Sequence, residues 1–227
     1  MRIYKMNTNN DLKIMFSSSE MTPFAKTGGL ADVVSSLPKA LNNLGNIDAR
    51  IAIPKYSFIY DSAYDLKELQ DTLKFSIGGF PYEVRVKYLD FDSCKVYFLE
   101  NMSILTRNDM YGYDDDGYRF GFFARAVIEL TKFIDFRPDV FHCHDWHVGM
   151  IPVYLKTMYR DDPFFKESAT VFTIHNLAYQ GRFSKELLPY LDISWDEFKA
   201  EKLEFWDGLN FIKAGIMYSD IVNTVSK

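Results

Sequence analysis

Three short stretches carry the residue types that chemistry needs. "KTGGL", residues 26–30, sets Lys26 and Thr27 against the pair Gly28–Gly29. "HCHDWH", residues 142–147, holds three histidines and Asp145. "TIHNLAYQG", residues 173–181, holds His175 and Asn176 and runs on to Tyr179, Gln180 and Gly181. Glycines let a backbone come close to a ligand, and the open N–H groups of a helix start attract negative charge. The first stretch therefore suits an anion, with Lys26 offsetting its charge. A plain glycine turn with a solvent-facing lysine would also account for it. It is neither G-x-G-x-x-G nor G-x-x-x-x-G-K-[ST], so both the dinucleotide fingerprint and the triphosphate loop fail. In the second stretch, His142, His144, His147 and Asp145 could be read as a zinc site. They could equally be the polar end of a buried strand turned toward sugar hydroxyls, with Trp146 packing the next helix. The third could be an ordinary Asn–Gly turn, yet all four histidines of the chain fall in these last two stretches.

The elements around them must place them. "KIMF", residues 13–16, reads as a strand. Leu30, Val33, Val34, Leu37, Ala40, Leu41 and Leu44 recur at helical spacing, so 30–44 is expected to be a helix, capped by Gly45 and strained at Pro38. "IDARIAIP" follows as a strand with Ile47, Ala49, Ile51 and Ile53 on one face. Strand, glycine loop, helix and strand make a βαβ unit. "TLKFSIGGFPYEVRVKYLDFD" alternates apolar and polar on both sides of Gly78–Gly79 and reads as a β-hairpin. "KVYFLE" adds a strand. A helix is expected over 117–135, a strand at "DVFHCH", a helix over 147–159 and a strand at "ATVFTIH". Residues 184–218 read as mostly helical, and "DIVNTVS" as a last strand. Alternating strands and helices predict an α/β domain: a Rossmann-like, mainly parallel sheet with flanking helices and a β-hairpin insertion. In such sheets ligands sit at the carboxyl ends of the strands.

Composition narrows the partners. The 227 residues carry a net charge of −5 and are 48% hydrophobic, enough for one large domain and unsuited to nonspecific nucleic-acid binding. Aromatics reach 17%, with 20 Phe, which reads first as a phenylalanine-packed core. Two cysteines, Cys94 and Cys143, are too few for a disulfide framework and suit a reducing, cytoplasmic setting. No signal peptide or membrane-spanning run is visible. The abrupt stop after a strand leads us to expect a longer protein beyond Lys227.

Together these stretches resemble the N-terminal half of glycosyltransferase family 5, the bacterial glycogen synthases and plant starch synthases. The resemblance is carried by "SSEMTPFAKTGGLADVVSSLPKAL", "MYGYDDDGYRFGFFARA", "RPDVFHCHDWHVGMIPVYL", "TIHNLAYQG" and "FIKAGIMYSDIVNTVS", in the family's order. It implies a tail over 1–12 and, over 13–227, the N-terminal Rossmann-like domain of a two-domain GT-B fold. It implies glucose transfer from ADP-glucose, with retention, to the 4-OH at the non-reducing end of glycogen or a maltooligosaccharide. No cofactor or metal is implied. Carried over by position, Lys26 and Gly28–Gly29 match the motif that contacts the nucleotide diphosphate and sugar, and Asp32 a carboxylate of that pocket. Tyr111, Asp145, His147, His175 and Asn176 match residues lining the donor-glucose and acceptor cleft. His175 resembles the histidine beside the transferred glucose. Catalytic roles are thus expected for Lys26, Asp145 and His175. Glu20 and Gln180 match positions near the acceptor path. Thr22 departs from the Ala or Phe common before the proline, with little consequence expected. The family's C-terminal domain, with most of the adenosine pocket, has no counterpart in these residues, so the chain alone is expected to be inactive. A rival reading is a non-catalytic glucan-binding module. A nicotinamide-dependent dehydrogenase domain is disfavoured by the missing fingerprint.

Overall fold

The computed structural model describes residues 11–225. Ten residues of the tail expected over 1–12 lie outside the described residues. In chain order the elements are β1 Leu12–Ser17, α1 Gly29–Asn42, β2 Ile47–Pro54, α2 Asp61–Tyr64, β3 Lys67–Glu68, β4 Leu73–Ile77, β5 Phe80–Phe91 and β6 Cys94–Glu100. They continue with α3 Asp116–Phe133, β7 Val140–His144, α4 Met150–Lys156, β8 Ala169–Ile174, β9 Arg182–Ser184, β10 Glu204–Phe205, β11 Gly208–Asn210, α5 Phe211–Tyr218 and β12 Ile221–Thr224.

The main sheet runs β12-β8-β7-β1-β2-β6-β5-β3, with β4 paired to β5. From β12 to β6 every pairing is parallel. The six parallel strands, numbered by chain order, therefore lie 3-2-1-4-5-6, the doubly wound order whose direction reverses between the first and fourth strands. Here that reversal falls between β1 and β7. The expected hairpin is β4–β5, turning at Gly78 and Gly79, both at positive φ.

Period-two patterning puts β2's Ala49, Ile51 and Ile53 on one face with Ile14 and Phe16 of β1, beneath Leu30 and Val34 of α1. The opposite face takes Met15, Phe141 and Cys143 against α3, α4 and α5. Phenylalanines fill this core: Phe120, Phe122, Phe123, Phe141 and Phe172 are fully buried. α1 continues through Pro38, and Gly45 (φ +83) lies two residues past its cap at Asn43.

Two helical expectations need correction. Residues 184–218 hold one α-helix, α5; the rest is short 3-10 turns and the small β10-β11-β9 sheet. Ser184 and Ser194 accept N–H bonds two residues on, and Asp192 sits at positive φ after the Pro189 turn, so each turn ends before a helix can propagate. The helix expected over 147–159 is a 3-10 turn at Trp146–Val148 followed by α4. No helix of the described residues is long and apolar enough to cross a membrane.

Candidate functional site

The reversal between β1 and β7 opens a cavity of about 740 Å³. Glu20 reaches it from beyond β1, Gly28 and Gly29 from the start of α1, and Tyr111 from the loop before α3. Asp145 and His147 reach it from beyond β7, and His175 and Asn176 from beyond β8. Eight of the eleven residues expected from the sequence thus share one wall.

Glu20 organises the near side. Its buried carboxylate accepts from Thr27 N (2.7 Å), Thr27 Oγ1 (2.6 Å), Gly28 N (3.2 Å) and Tyr111 Oη (2.7 Å). Ser19 Oγ donates to the same tyrosine oxygen at 2.8 Å. The glycine loop's anion-seeking amides are therefore already engaged by a carboxylate of this chain. Neither glycine needs its conformational freedom here. Gly28 is extended (φ −150), and a Cβ at Gly28 or Gly29 would meet nothing within 4 Å. What the missing side chains spare is space at the cavity wall.

The far side rests on Asp145. Its backbone takes φ 60, ψ −179, a region held almost only by glycine. This turns the carboxylate so that Oδ1 accepts from His175 N (2.7 Å) and Asn176 N (3.4 Å). Burial pushes its carboxyl up to about 6; the two N–H bonds pull it down, and Glu20 adds to the rise. His147 lies buried, 4.6 Å from Tyr111 in a stacked pair, and burial holds it well below the ordinary histidine range. His144 Nδ1 and His175 Nε2 stand 2.9 Å apart. Burial lowers His175, partly offset by Glu20. Trp146 packs edge-on against Phe120 of α3 at 5.0 Å, and it also lines the cavity. Gly181 (φ +60) makes room for that indole: a Cβ there would lie 2.5 Å from it.

Three expected residues lie off the wall. Lys26 Nζ holds Asp32 at 2.6 and 2.8 Å, and Thr22 Oγ1 donates to the same carboxylate at 2.9 Å. The Lys26 bond, then the Thr22 bond, hold Asp32 below the usual carboxylate range. Thr22, expected to matter little, is thus part of this cluster. Gln180 accepts from Asn210 Nδ2 at 2.9 Å and borders an adjoining depression.

Among the described residues, the cavity lining contains two carboxylates and no Lys or Arg. Such a wall accepts hydrogen bonds from hydroxyls and offers little charge to a phosphate. Among the described residues, no three His, Cys, Asp or Glu side chains are arranged to hold a metal ion. His142 Nε2 is instead 2.7 Å from Thr173 Oγ1. The sequence gives no signal for Arg119, which is buried, bonds Met110 O and props the loop carrying Tyr111. Tyr179, from the third stretch singled out in the sequence, and Leu30 also line the cavity.

Residues 13–227 match the starch synthase catalytic domain family. A glycogen synthase of Desulforudis audaxviator (strain MP104C) is 45% identical over 236 residues, covering 95% of this chain and 45% of that protein. A glycogen synthase of Moorella thermoacetica (strain ATCC 39073 / JCM 9320) is 43% identical over 225 residues, covering 96% and 44%. The solved catalytic domain of Starch Synthase IV from Arabidopsis thaliana, bound to ADP and acarbose, matches with a TM-score of 0.87 at 30% identity, over 96% of this chain and 45% of that one. The chain spans about half the length of the curated relatives it matches.

Proposed function

The chain belongs to the starch synthase catalytic domain family, and on that premise we propose that it is the acceptor-side half of a retaining glucosyltransferase. The whole enzyme moves glucose from ADP-glucose to the non-reducing 4-OH of an α-1,4-glucan, glycogen or a maltooligosaccharide, in the cytoplasm. The bond from the glucose anomeric carbon to the diphosphate breaks, and that carbon bonds to the acceptor oxygen. The acceptor's proton leaves with ADP. Positive charge grows on the sugar ring and negative charge on the leaving phosphate, so catalysis lies mainly in stabilising those charges.

The observation that carries this reading is a wall of carboxylates and imidazoles with no Lys or Arg among the described residues, at the switch point of the sheet. Asp145 holds the chain beyond β8 through Oδ1, and Oδ2 has no partner among the described residues, so it is open to a sugar hydroxyl. His175 lies beside it. Glu20, Gly28 and Gly29 shape the near side, with Tyr111 and His147 between. Lys26 reaches the diphosphate by exchanging Asp32 for phosphate oxygens. The remaining positive charge comes from the second domain, which closes the cleft and excludes water.

The test uses radiolabelled ADP-glucose and glycogen. The 227-residue chain should melt cooperatively and incorporate no label. A hybrid carrying the second domain of the Desulforudis relative should incorporate it. A hybrid that melts cooperatively, retains maltooligosaccharide and transfers nothing would replace this reading with that of a glucan-binding module.

A further inference from the structure

We propose that His144 is a positioning residue that fixes the tautomer of His175: His144 donates its Nδ1–H to His175 Nε2, which leaves His175 to present Nδ1–H as a donor. That this donor meets a sugar oxygen rests on the reading given under "Proposed function"; the tautomer itself does not.

The two nitrogens are 2.9 Å apart, so one carries the proton and the other the lone pair. His144 is fully buried, and its Nε2 has no hydrogen-bond partner among the described residues. If His175 were the donor, the single proton of His144 would lie on that orphaned Nε2. A buried N–H with no acceptor forfeits its whole hydration, and such groups are rarer in folded proteins than under-satisfied acceptors. With the proton on Nδ1, the orphan is only an unused lone pair. The ring is held in plane by its neighbours. Phe16 stacks on it at 5.6 Å and 19°, and His142 at 4.3 Å and 26°. Turning the ring over would set a carbon against His175 and lose the bond. A doubly protonated His144 is disfavoured by burial, with His142 and His175 adding to the effect.

The neighbouring imidazole resolves the opposite way. Thr173 Oγ1 gives its proton to Asn223 Oδ1 at 2.6 Å, so it must accept from His142 Nε2–H at 2.7 Å. The adjacent rings His142 and His144, on one face of β7, are thus opposite tautomers. With Nε2 occupied, His175 has no lone pair to offer a ligand. It donates to an oxygen and does not take the acceptor's proton. Setting a ring's tautomer through the bond its other nitrogen makes is a general device for histidines.

The test is a long-range proton–nitrogen correlation spectrum of the 227-residue chain with ¹⁵N-labelled histidine at pH 7.5. The expected pattern is Nδ1–H for His175 and His144, and Nε2–H for His142. A His175 proton on Nε2 overturns the proposal without any variant. In His144→Phe, His175 should lose its single tautomer; in His144→Asn, whose amide can still donate, it should keep Nδ1–H. An unchanged His175 in a folded His144→Phe chain shows that His144 does not set it. The spectrum reads the tautomer alone, so a hybrid that melts cooperatively, retains maltooligosaccharide and transfers nothing would refute the functional reading and leave this result standing.

Discussion

Replacing Asp145 with Asn should stabilise the protein, and more so as the pH rises. The carboxyl is only 6% exposed, and burial pushes it up to about 6, against about 4 for an ordinary aspartate. A carboxyl whose folded pKa lies above its unfolded value binds protons more tightly when folded. Its stabilising effect is therefore present at low pH and is lost as pH rises from about 4 to about 6. Two pH units at about 1.4 kcal/mol each give a penalty of roughly 3 kcal/mol above pH 7, of which about 2 kcal/mol develops between pH 4.5 and 8. Asn has no charge to desolvate, keeps an oxygen for His175 N, and meets the same backbone constraint at φ 60, ψ −179 that Asp does. Urea unfolding of both chains at pH 4.5 and 8 isolates the effect. The buried histidines titrate in an overlapping window with the opposite sign, but they cancel in the difference between variant and wild type. The gap in favour of the variant should widen by about 2 kcal/mol at pH 8. A gap that stays constant would show that Asp145 titrates as an ordinary carboxyl, and one that narrows with pH that folding lowers its pKa; either refutes the reasoning.

Gly28→Ala should leave the melting temperature unchanged or higher, because its extended backbone and open surroundings accept a Cβ. Calorimetry should show maltooligosaccharide binding weakened about tenfold by the intruding methyl, and undiminished binding refutes the close-approach reading. Lys26→Ala should barely move the urea midpoint, since its pair with Asp32 is half exposed, while turnover of the complete transferase falls roughly 10²–10³-fold. Normal turnover would remove the phosphate role. Burial lowers His142 to about 4 and His144 and His147 well below the ordinary range. Unfolding then takes up protons below about pH 6.5, so these rings cost stability on acidification from there, and a nitrogen-detected titration should find none of the three charging above pH 5.5. Metal analysis of chelator-free protein should find no stoichiometric zinc; one equivalent per chain would overturn the assignment of His142 to Thr173 and His144 to His175.

The βαβ unit, the hairpin and the strand ends carrying Asp145 and His175 were legible because apolar periodicity and glycine position are local signals. What failed was non-local or decided by turns. The apolar spacing of Leu187, Leu188, Leu191 and Ile193 mimics a helix, but serine caps and Asp192 at positive φ cut it into single turns. The pairing of Lys26 with Asp32 is a choice among rotamers across a loop, and spacing cannot rank it. Glu20 stands eight residues before Gly28, and only the folded loop shows that its carboxylate takes the amides. Gln180 lies in the right motif but turns to Asn210 from β11, an element expected to be helix. His144 carried a signal, its alternation with His142 on a strand, but its partner comes from a different strand end.

The hold of Glu20 on Thr27 and Gly28 has a consequence for the entropy of binding. Residues 26–29 are exposed, and a loose loop of that kind would lose about 1–2 kcal/mol of backbone freedom per residue on gripping a ligand. Here the freedom is lost when the chain folds, because the amides of Thr27 and Gly28 are tied to buried Glu20, just beyond β1. A sugar arriving at this wall meets a surface whose shape is set by the sheet and not by the ligand. The adaptive part of the binding cycle, and the ordering cost that goes with it, then fall to Lys26 changing partners and to whatever closes over the cavity from the other side.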